Sequence, residues 1–329
     1  MDKKVLVIGS NSFSGSTYIK YLLARDYEVY GCSRSEEKIN CFLPYTWVSN
    51  HNFTFLRYDL NKDINSIIDL IFSEKISYIV NFAAQSMVGE SWDSPGDWFQ
   101  TNAVALSNLI SGLKEFKFIK KYVHVTTPEV YGSCEGFISE QHPINPSTPY
   151  ASSRAASDLI IKNYFDAYQF PFVATRAANV FGPGQQLYRI IPKTILSILL
   201  NKKIPLHGGG ASTRSFIFMD DVCEATEILM QRGKNGETYH ISTSEIISIK
   251  ELVQKICIKL NTDYKDVVED ISERTGKDAT YQLSSQKLKQ SFGWDTKTSL
   301  DEGLDITINW VKNNFDELKK TNMAYIHKK

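Results

Sequence analysis

The sequence predicts an α/β fold, a doubly wound parallel sheet joined to a smaller mixed α/β domain. Three observations carry this. Over the first 180 residues, short and continuously apolar runs alternate with longer amphipathic stretches. Continuous rather than alternating hydrophobicity suits strands covered on both faces, and strand–helix alternation implies a parallel sheet. A turn rich in small residues joins the first run to the first helix. Beyond about residue 180 the alternation loosens, and Gly182-Pro183-Gly184, Gly208-Gly209-Gly210 and Thr275-Gly276 punctuate a mixed helix and loop region.

In chain order, residues 3–9 (KKVLVIG) read as a buried strand, 15–25 as a helix and 28–34 (EVYGCSR) as a second strand. Further strands follow at 53–60, 77–84, 121–127 and 172–182, with helices between several of them. The chain of 329 residues has room for about two domains. The expected division is 1–180 plus about 215–247 for the sheet domain, and about 181–214 with 248–329 for the smaller one. The helix from Tyr150 onward carries two apolar stripes, Ala151, Ala155, Leu159 and Ile161, Phe165, Tyr168. A helix apolar on two sides is buried on two sides, which fits a sheet on one side and a partner subunit on the other.

Composition bounds the partners. Lys plus Arg and Asp plus Glu are both 37, so the formal charge is zero. Without a basic block there is no footprint for nucleic acid or an anionic membrane surface. No apolar run approaches the ~20 residues of a spanning helix. The first apolar run, Val5 to Ile8, is too short for a signal peptide. Five scattered cysteines (Cys32, Cys41, Cys134, Cys223, Cys257) lack a CxxC spacing. That excludes a disulfide framework or structural zinc and points to the reducing cytoplasm, with no metal site.

The first strand ends in Ile8-Gly9-Ser10-Asn11-Ser12-Phe13-Ser14-Gly15. Small residues at Gly9, Ser12 and Gly15, three apart at a strand–helix junction, let the backbone approach a pyrophosphate, and the helix N-terminus offers it N–H groups. This is the pattern of a Rossmann-type dinucleotide site. Strand two ends in Ser33 and Arg34 where an NAD site usually carries an acid. These residues suit a 2′-phosphate and tilt the reading to NADP over NAD. Asp59, followed by Leu60, is placed to meet the adenine amine or to cap a turn.

Tyr150 and Arg154 sit one turn apart at a helix start marked by Pro149. A fixed positive charge beside a phenol favours phenolate, so Tyr150 is expected to have its pKa lowered from ~10 and to act as an acid–base group.

With the turn before it and Thr126-Thr127 on the strand between, this set resembles the extended short-chain dehydrogenase/reductases. It is most similar to the nucleotide-sugar 4,6-dehydratases, the dTDP-glucose and GDP-mannose enzymes. The resemblance runs through Asn81 to Ser86, Thr126 to Gly132, Tyr150 to Arg154 and Asn179 to Pro183. It continues in Arg214-Ser215-Phe216, Asp220-Asp221-Val222 and Arg274 to Asp278. It implies a tightly held nicotinamide cofactor, a nucleotide-diphosphate sugar substrate and a homodimer. Tyr150 would take the sugar 4-hydroxyl proton, Thr127 would hydrogen-bond that hydroxyl, and Glu129 would take the C5 proton before water leaves from C6. Phe13, Ala83, Ala84, Gln85 and Thr126 would line the cofactor, with Tyr150 and Arg154 against it. Ser86, Asn179, Arg189, Arg214 and Arg274 would hold the substrate. His207 falls where a ring lies against the base, and reads equally as a surface loop residue.

Three positions depart from the family. Arg154 stands for Lys, and the two are not interchangeable at a close-fitting site. Ser12 replaces the middle glycine. Pro128 replaces an Asp or Ser, and proline has no proton to give the departing hydroxyl. A 4-epimerase, a 4-keto reductase, a 5,6-dehydratase and a cofactor-binding pseudoenzyme therefore stand beside the 4,6-dehydratase, and Glu129 favours the last-named because a plain epimerase needs no carboxylate there.

Overall fold

The computed structural model describes residues 3–49, 52–271 and 281–327; Arg274 and the Thr275-Gly276 pair lie outside them. Seven parallel strands form the central sheet: β1 (Lys4–Ile8), β2 (Glu28–Cys32), β3 (Phe53–Leu56), β4 (Tyr78–Asn81), β5 (Lys121–Val125), β6 (Phe172–Ala177) and β7 (Thr238–Ile241). Their order is β7-β6-β5-β4-β1-β2-β3. β1 pairs in parallel with both β2 and β4, so the winding reverses between β1 and β4. In such sheets the ligand crevice opens at the carboxyl ends of the strands beside that reversal.

Strand side chains alternate between faces, and both faces are covered. Val5 and Val7 of β1 face one core with α1 (Phe13–Leu23) and α6 (Met219–Arg232), while Leu6 and Ile8 face the other. That second face is covered by α2 (Ile64–Ser73), α3 (Ala105–Leu113) and the long α4 (Pro149–Tyr168). A separate core gathers around α5 (Ile190–Leu199), α7 (Ile249–Lys259) and α8 (Leu300–Asn313), with Ile195, Leu252, Leu304 and Trp310 inside it. There Ile204–His207 and Val268–Ile271 pair in parallel.

Two expectations need correction. The strand expected at 172–182 is two strands. β6 stays in the main sheet, whereas Asn179–Phe181 pairs with Phe216–Phe218. The hand-over is local: Ala178 N–H donates to Ile241 O of β7, and Asn179 N–H donates to Ser215 O. The second correction concerns α4. Its buried arc is Tyr150, Ala151, Ser153, Arg154, Ala155, Ser157 and Ile161, mostly small residues that admit close packing. Leu159 and Tyr168, assigned to apolar stripes, are exposed.

All five cysteines are buried and none forms a disulfide. No helix among the described residues is long and apolar enough to cross a membrane.

Candidate active site

The turn after β1 is held by its own small residues. Gly9 adopts φ +86°, a region that favours glycine, and a Cβ there would lie 2.8 Å from Ala83 N. The backbone of the turn thus rests on the backbone after β4. Ser12, in place of the family glycine, is the N-cap of α1. Its hydroxyl donates to Gly9 O at 2.7 Å and accepts from Gly15 N–H at 3.0 Å. The added side chain closes the turn rather than loosening it, because it satisfies groups that would otherwise be orphaned at the helix start. Phe13 opens α1 and is buried.

At the end of β2, Ser33 Oγ accepts from Asn11 N–H at 3.0 Å. The Asn11 side chain donates to Ser35 O and Glu36 O, folding the segment with Ser33 and Arg34 over the turn. Asp59 is engaged locally: its Oδ1 accepts from Asn61 N–H at 2.9 Å, the geometry of a turn aspartate, and Leu60 lies in the core beside α2. After β4, Asn81 Oδ1 accepts from Ala83 N–H. Asn102 then anchors the Ala84-Gln85-Ser86 stretch, accepting from Gln85 N–H at 2.9 Å and donating to Gln85 O and to Ser153 Oγ. Asn102 lies in a single π-helical turn, Gln100–Val104, an irregularity frequent at functional sites. Sequence reading missed it, since a π turn leaves no periodic signal.

The catalytic candidates meet where β5 ends. Thr127 caps the short helix Pro128–Tyr131, accepting from Glu129 N–H at 3.3 Å. Pro128 occupies its first position, where the missing N–H costs nothing. Gly132 ends that turn at φ +69°, with Asn145 O where a Cβ would stand 2.5 Å away. Tyr150 opens α4 and is buried, and α4 packs against the short helix that Thr127 caps and that carries Glu129. Glu129, Arg154 and Arg189 are close enough to act on its phenol electrostatically.

The expected lowering of the Tyr150 pKa is not what this environment produces. Burial raises it, and the Glu129 carboxylate adds to the rise. Arg154, the Thr127 hydrogen bond and Arg189 oppose without prevailing. The guanidinium acts in the expected direction, but taking a phenolate out of water costs more.

Arg154 itself is buried. Its Nη2 donates to Val125 O at the end of β5, and its Nε has no partner. Thr126 Oγ1 and Ser10 Oγ are likewise buried without partners. Unpaired buried polar groups are rare, and these three flank the crevice at the carboxyl ends of β1 and β5. They fit a ligand bearing ribose hydroxyls and phosphate oxygens, as does the backbone cradle at Gly9.

On the substrate side, Arg189 stands at the head of α5 with its guanidinium over the Tyr188 ring, 5.4 Å from the centroid. Asn179 Oδ1 accepts from Tyr281 OH at 3.3 Å, and Arg214 lies over the same tyrosine ring at 5.2 Å. Asn179, Arg214 and Tyr281 thus form one group, with Tyr281 unforeseen. His207, half-buried, ends the strand Ile204–His207 and opens the Gly208–Gly210 turn.

Behind these residues lies a buried polar relay. Arg176 Nη2 donates to Asp158 Oδ2 at 2.7 Å, and its Nη1 to the Tyr131 hydroxyl. Tyr131 OH lies 2.7 Å from His240 Nε2, and His124 Nε2 lies 3.3 Å from Asp158 Oδ1.

The family model described as GDP-mannose 4,6 dehydratase matches residues 6–307. The human dTDP-D-glucose 4,6-dehydratase is 33% identical over 332 residues, covering 98% of this chain and 93% of that protein. The dTDP-glucose 4,6-dehydratase of Xanthomonas campestris is 27% identical, covering 94% and 93%. Among solved structures, the dTDP-glucose 4,6-dehydratase of Streptomyces venezuelae with NAD bound superposes with a TM-score of 0.88 at 28% identity, covering 95% of this chain and 98% of that one. The Bacillus anthracis dTDP-glucose 4,6-dehydratase, also with NAD, gives 0.87 at 29% identity, covering 95% and 97%.

Proposed function

Because the chain belongs to the GDP-mannose 4,6-dehydratase family, we propose that it converts a nucleotide-diphosphate hexose into the 4-keto-6-deoxy sugar nucleotide. The observation that supports this reading is the packing of α4, which carries Tyr150, against the short helix that Thr127 caps and that carries Glu129. A nicotinamide dinucleotide, when bound, supplies a hydride acceptor at the start of the cycle and a donor at its end. Gly9, Ser12 and Gly15 with the head of α1 suit its pyrophosphate, and Thr126, Tyr150 and Arg154 suit its nicotinamide end.

The protein's residues then divide the proton work. Tyr150 accepts the C4 hydroxyl proton while Thr127 fixes that oxygen. The resulting C4 ketone acidifies C5, and Glu129 removes the C5 proton. Since Pro128 offers no acid, Glu129 returns that proton to the departing C6 hydroxyl, which leaves as water. Glu129 then reloads from solvent and delivers a proton to C5. Tyr150 releases the C4 hydroxyl proton to solvent, matching the proton that Glu129 took up, so the sum is loss of one water. Asn179, Arg189 and Arg214, with Arg274 by resemblance, hold the diphosphate through the paired N–H groups that suit Arg to phosphate oxygens.

The same reading includes NADP over NAD at Ser33 and Arg34. It also includes a sugar-nucleotide domain built from about 181–214 and 248–329, and a cytoplasmic location. A homodimer is supported by Phe99, Val104 and Leu159, which are 39%, 45% and 53% exposed on adjoining helical segments. The test is incubation with GDP-, UDP-, CDP- and dTDP-hexoses in D2O, followed by NMR of the product. A 6-deoxy methyl signal with one solvent deuteron at C5 supports the proposal. Vinyl protons or an intact C6 hydroxyl overturn it. Comparative binding of NADP and NAD to the intact chain and to Arg34→Ala decides the cofactor form.

A further inference from the structure

The chain does not end at its second core. Leu318 is fully buried there and Met323 packs against it. The segment then runs outward. The Tyr325 ring meets Tyr188 edge-on, with centroids 5.4 Å apart. The His327 imidazole stacks on Trp98 at 4.9 Å, with the ring planes 14° apart. His327 Nε2 lies 2.7 Å from Asp97 Oδ2, and Tyr325 OH lies 3.4 Å from His327 Nδ1. Asp97 and Trp98 belong to the helical segment Pro95–Phe99 that follows β4, on the sheet side. Tyr188 directly precedes Arg189 at the head of α5, on the other side. Residues 323–327 therefore pass from one half of the molecule to the other.

They join two elements that border the crevice: the helical segment after β4, through Trp98 and Asp97, and the head of α5, through Tyr188. Burial raises the Tyr325 phenol above its ordinary value, with Tyr188 and Glu90 adding and Arg34 and Arg189 opposing. Those neighbours come from the end of β2, the loop after β4 and the head of α5, the three elements that border the crevice.

We infer that residues 323–327 form a strap that closes the crevice over the bound dinucleotide and retains it from one turnover to the next. This rests on the proposed reading of the crevice as a dinucleotide site. The chemistry calls for retention, because the hydride taken from C4 must return to C6 of the same sugar. A cofactor lost in between would leave an oxidised, dehydrated intermediate with no reductant. The strap is tied by an edge-on ring contact at Tyr325 and by a stacked ring and one hydrogen bond at His327, contacts that keep a ligand in without needing to recognise it.

The test compares the full chain with a chain ending at Lys320 and with Tyr325→Ala and His327→Ala, each first checked for an unchanged melting profile. Two quantities are read: nicotinamide dinucleotide per chain after gel filtration, by absorbance and chromatography, and its release rate when chased with excess unlabelled NAD or NADP. The expected result is release at least about tenfold faster from the truncated chain, an effect in the off-rate, with smaller increases in the point variants. Should truncation unfold the chain, the two point variants give the same reading. Equal retention by all four proteins overturns the strap. So does a change confined to KM for the nucleotide sugar, which would assign the tail to the substrate. A full-length chain that takes up neither dinucleotide, before or after incubation, fails the cofactor reading itself.

Discussion

Arg176 of β6 and Asp158 of α4 form an ion pair, Nη2 to Oδ2 at 2.7 Å, with both side chains nearly out of solvent. It ties the helix that carries Tyr150 and Arg154 to the sheet. Through the Tyr131 hydroxyl it also reaches the short helix that carries Glu129. The relative placement of base and carboxylate thus passes through a pair that touches neither.

Asp158→Asn is therefore expected to act in two ways. It leaves the Arg176 charge buried without its counter-ion, a change that costs about 3–5 kcal/mol in comparable cases. It also loosens Tyr131 and with it Glu129. Chemical denaturation measures the first. The second appears as a larger fall in kcat than rise in KM, because the residues moved are those of the reaction rather than those of substrate binding. A variant with wild-type stability and kcat would remove the positioning role.

Stability should fall steeply on acidification. Burial lowers His240 from 6.5 to about 3, with the Arg176 charge adding to the effect. A group whose folded pKa is depressed binds its proton more readily when unfolded, so its contribution is full above about 6.5 and lost as pH falls towards 3. At 1.36 kcal/mol per unit this amounts to on the order of 5 kcal/mol. Asp158 acts lower down. Burial alone would raise it, but His124 and Arg176 outweigh burial and hold it at about 2. Its share is present above its unfolded value near 3.8 and disappears below that, towards 2. Melting temperatures from pH 7 to 3 check the sign, and His240→Gln should flatten the upper part of the curve.

How far the sequence exposed this arrangement depends on which interactions were local. Val5 to Ile8 and Val173 to Ala174 announced themselves because strands covered on both faces are apolar throughout. The turn at Gly9, Ser12 and Gly15 was legible because its glycine demands and cap bonds span only a few residues. β7 was not, since its run Thr-Tyr-His-Ile places His240 in the core on the strength of a partner 109 residues away. Asp158 with Arg176, Asn102 with Gln85, and His327 with Trp98 were hidden for the same reason: each depends on pairing across the fold. The raised Tyr150 pKa shows the limit from another side. Spacing reveals a neighbouring charge, but burial is a property of everything around it.

Glu129→Gln should separate the two halves of the reaction. Amide and carboxylate are nearly isosteric, so the Thr127 cap on the backbone N–H remains. Oxidation at C4 needs only Tyr150 and Thr127 and should persist as a single partial turnover, seen as reduced nicotinamide absorbance upon adding substrate. Elimination needs a base at C5 and should fall by at least ~10²-fold, the usual range for removing a general base. Unimpaired water loss in this variant would exclude Glu129 from the C5 step.

Arg154→Lys asks why this chain carries an arginine where its family resemblance leads one to expect a lysine. The guanidinium spans two tasks: Nη2 holds Val125 O, two residues before Thr127, while its charge favours the Tyr150 phenolate against burial. A lysine is a single point charge on a flexible stem and serves one task at a time. Lys should therefore retain much of the electrostatic support and lose the tether to β5. Activity is expected to fall roughly tenfold or less, with the phenolate-dependent limb of the kcat pH profile nearly in place. Arg154→Met removes the charge, so the Tyr150 pKa rises further and that limb moves to higher pH. If the limb sits at the same pH in wild type, Lys and Met variants, the arginine does not tune the phenol and its role is confined to the tether.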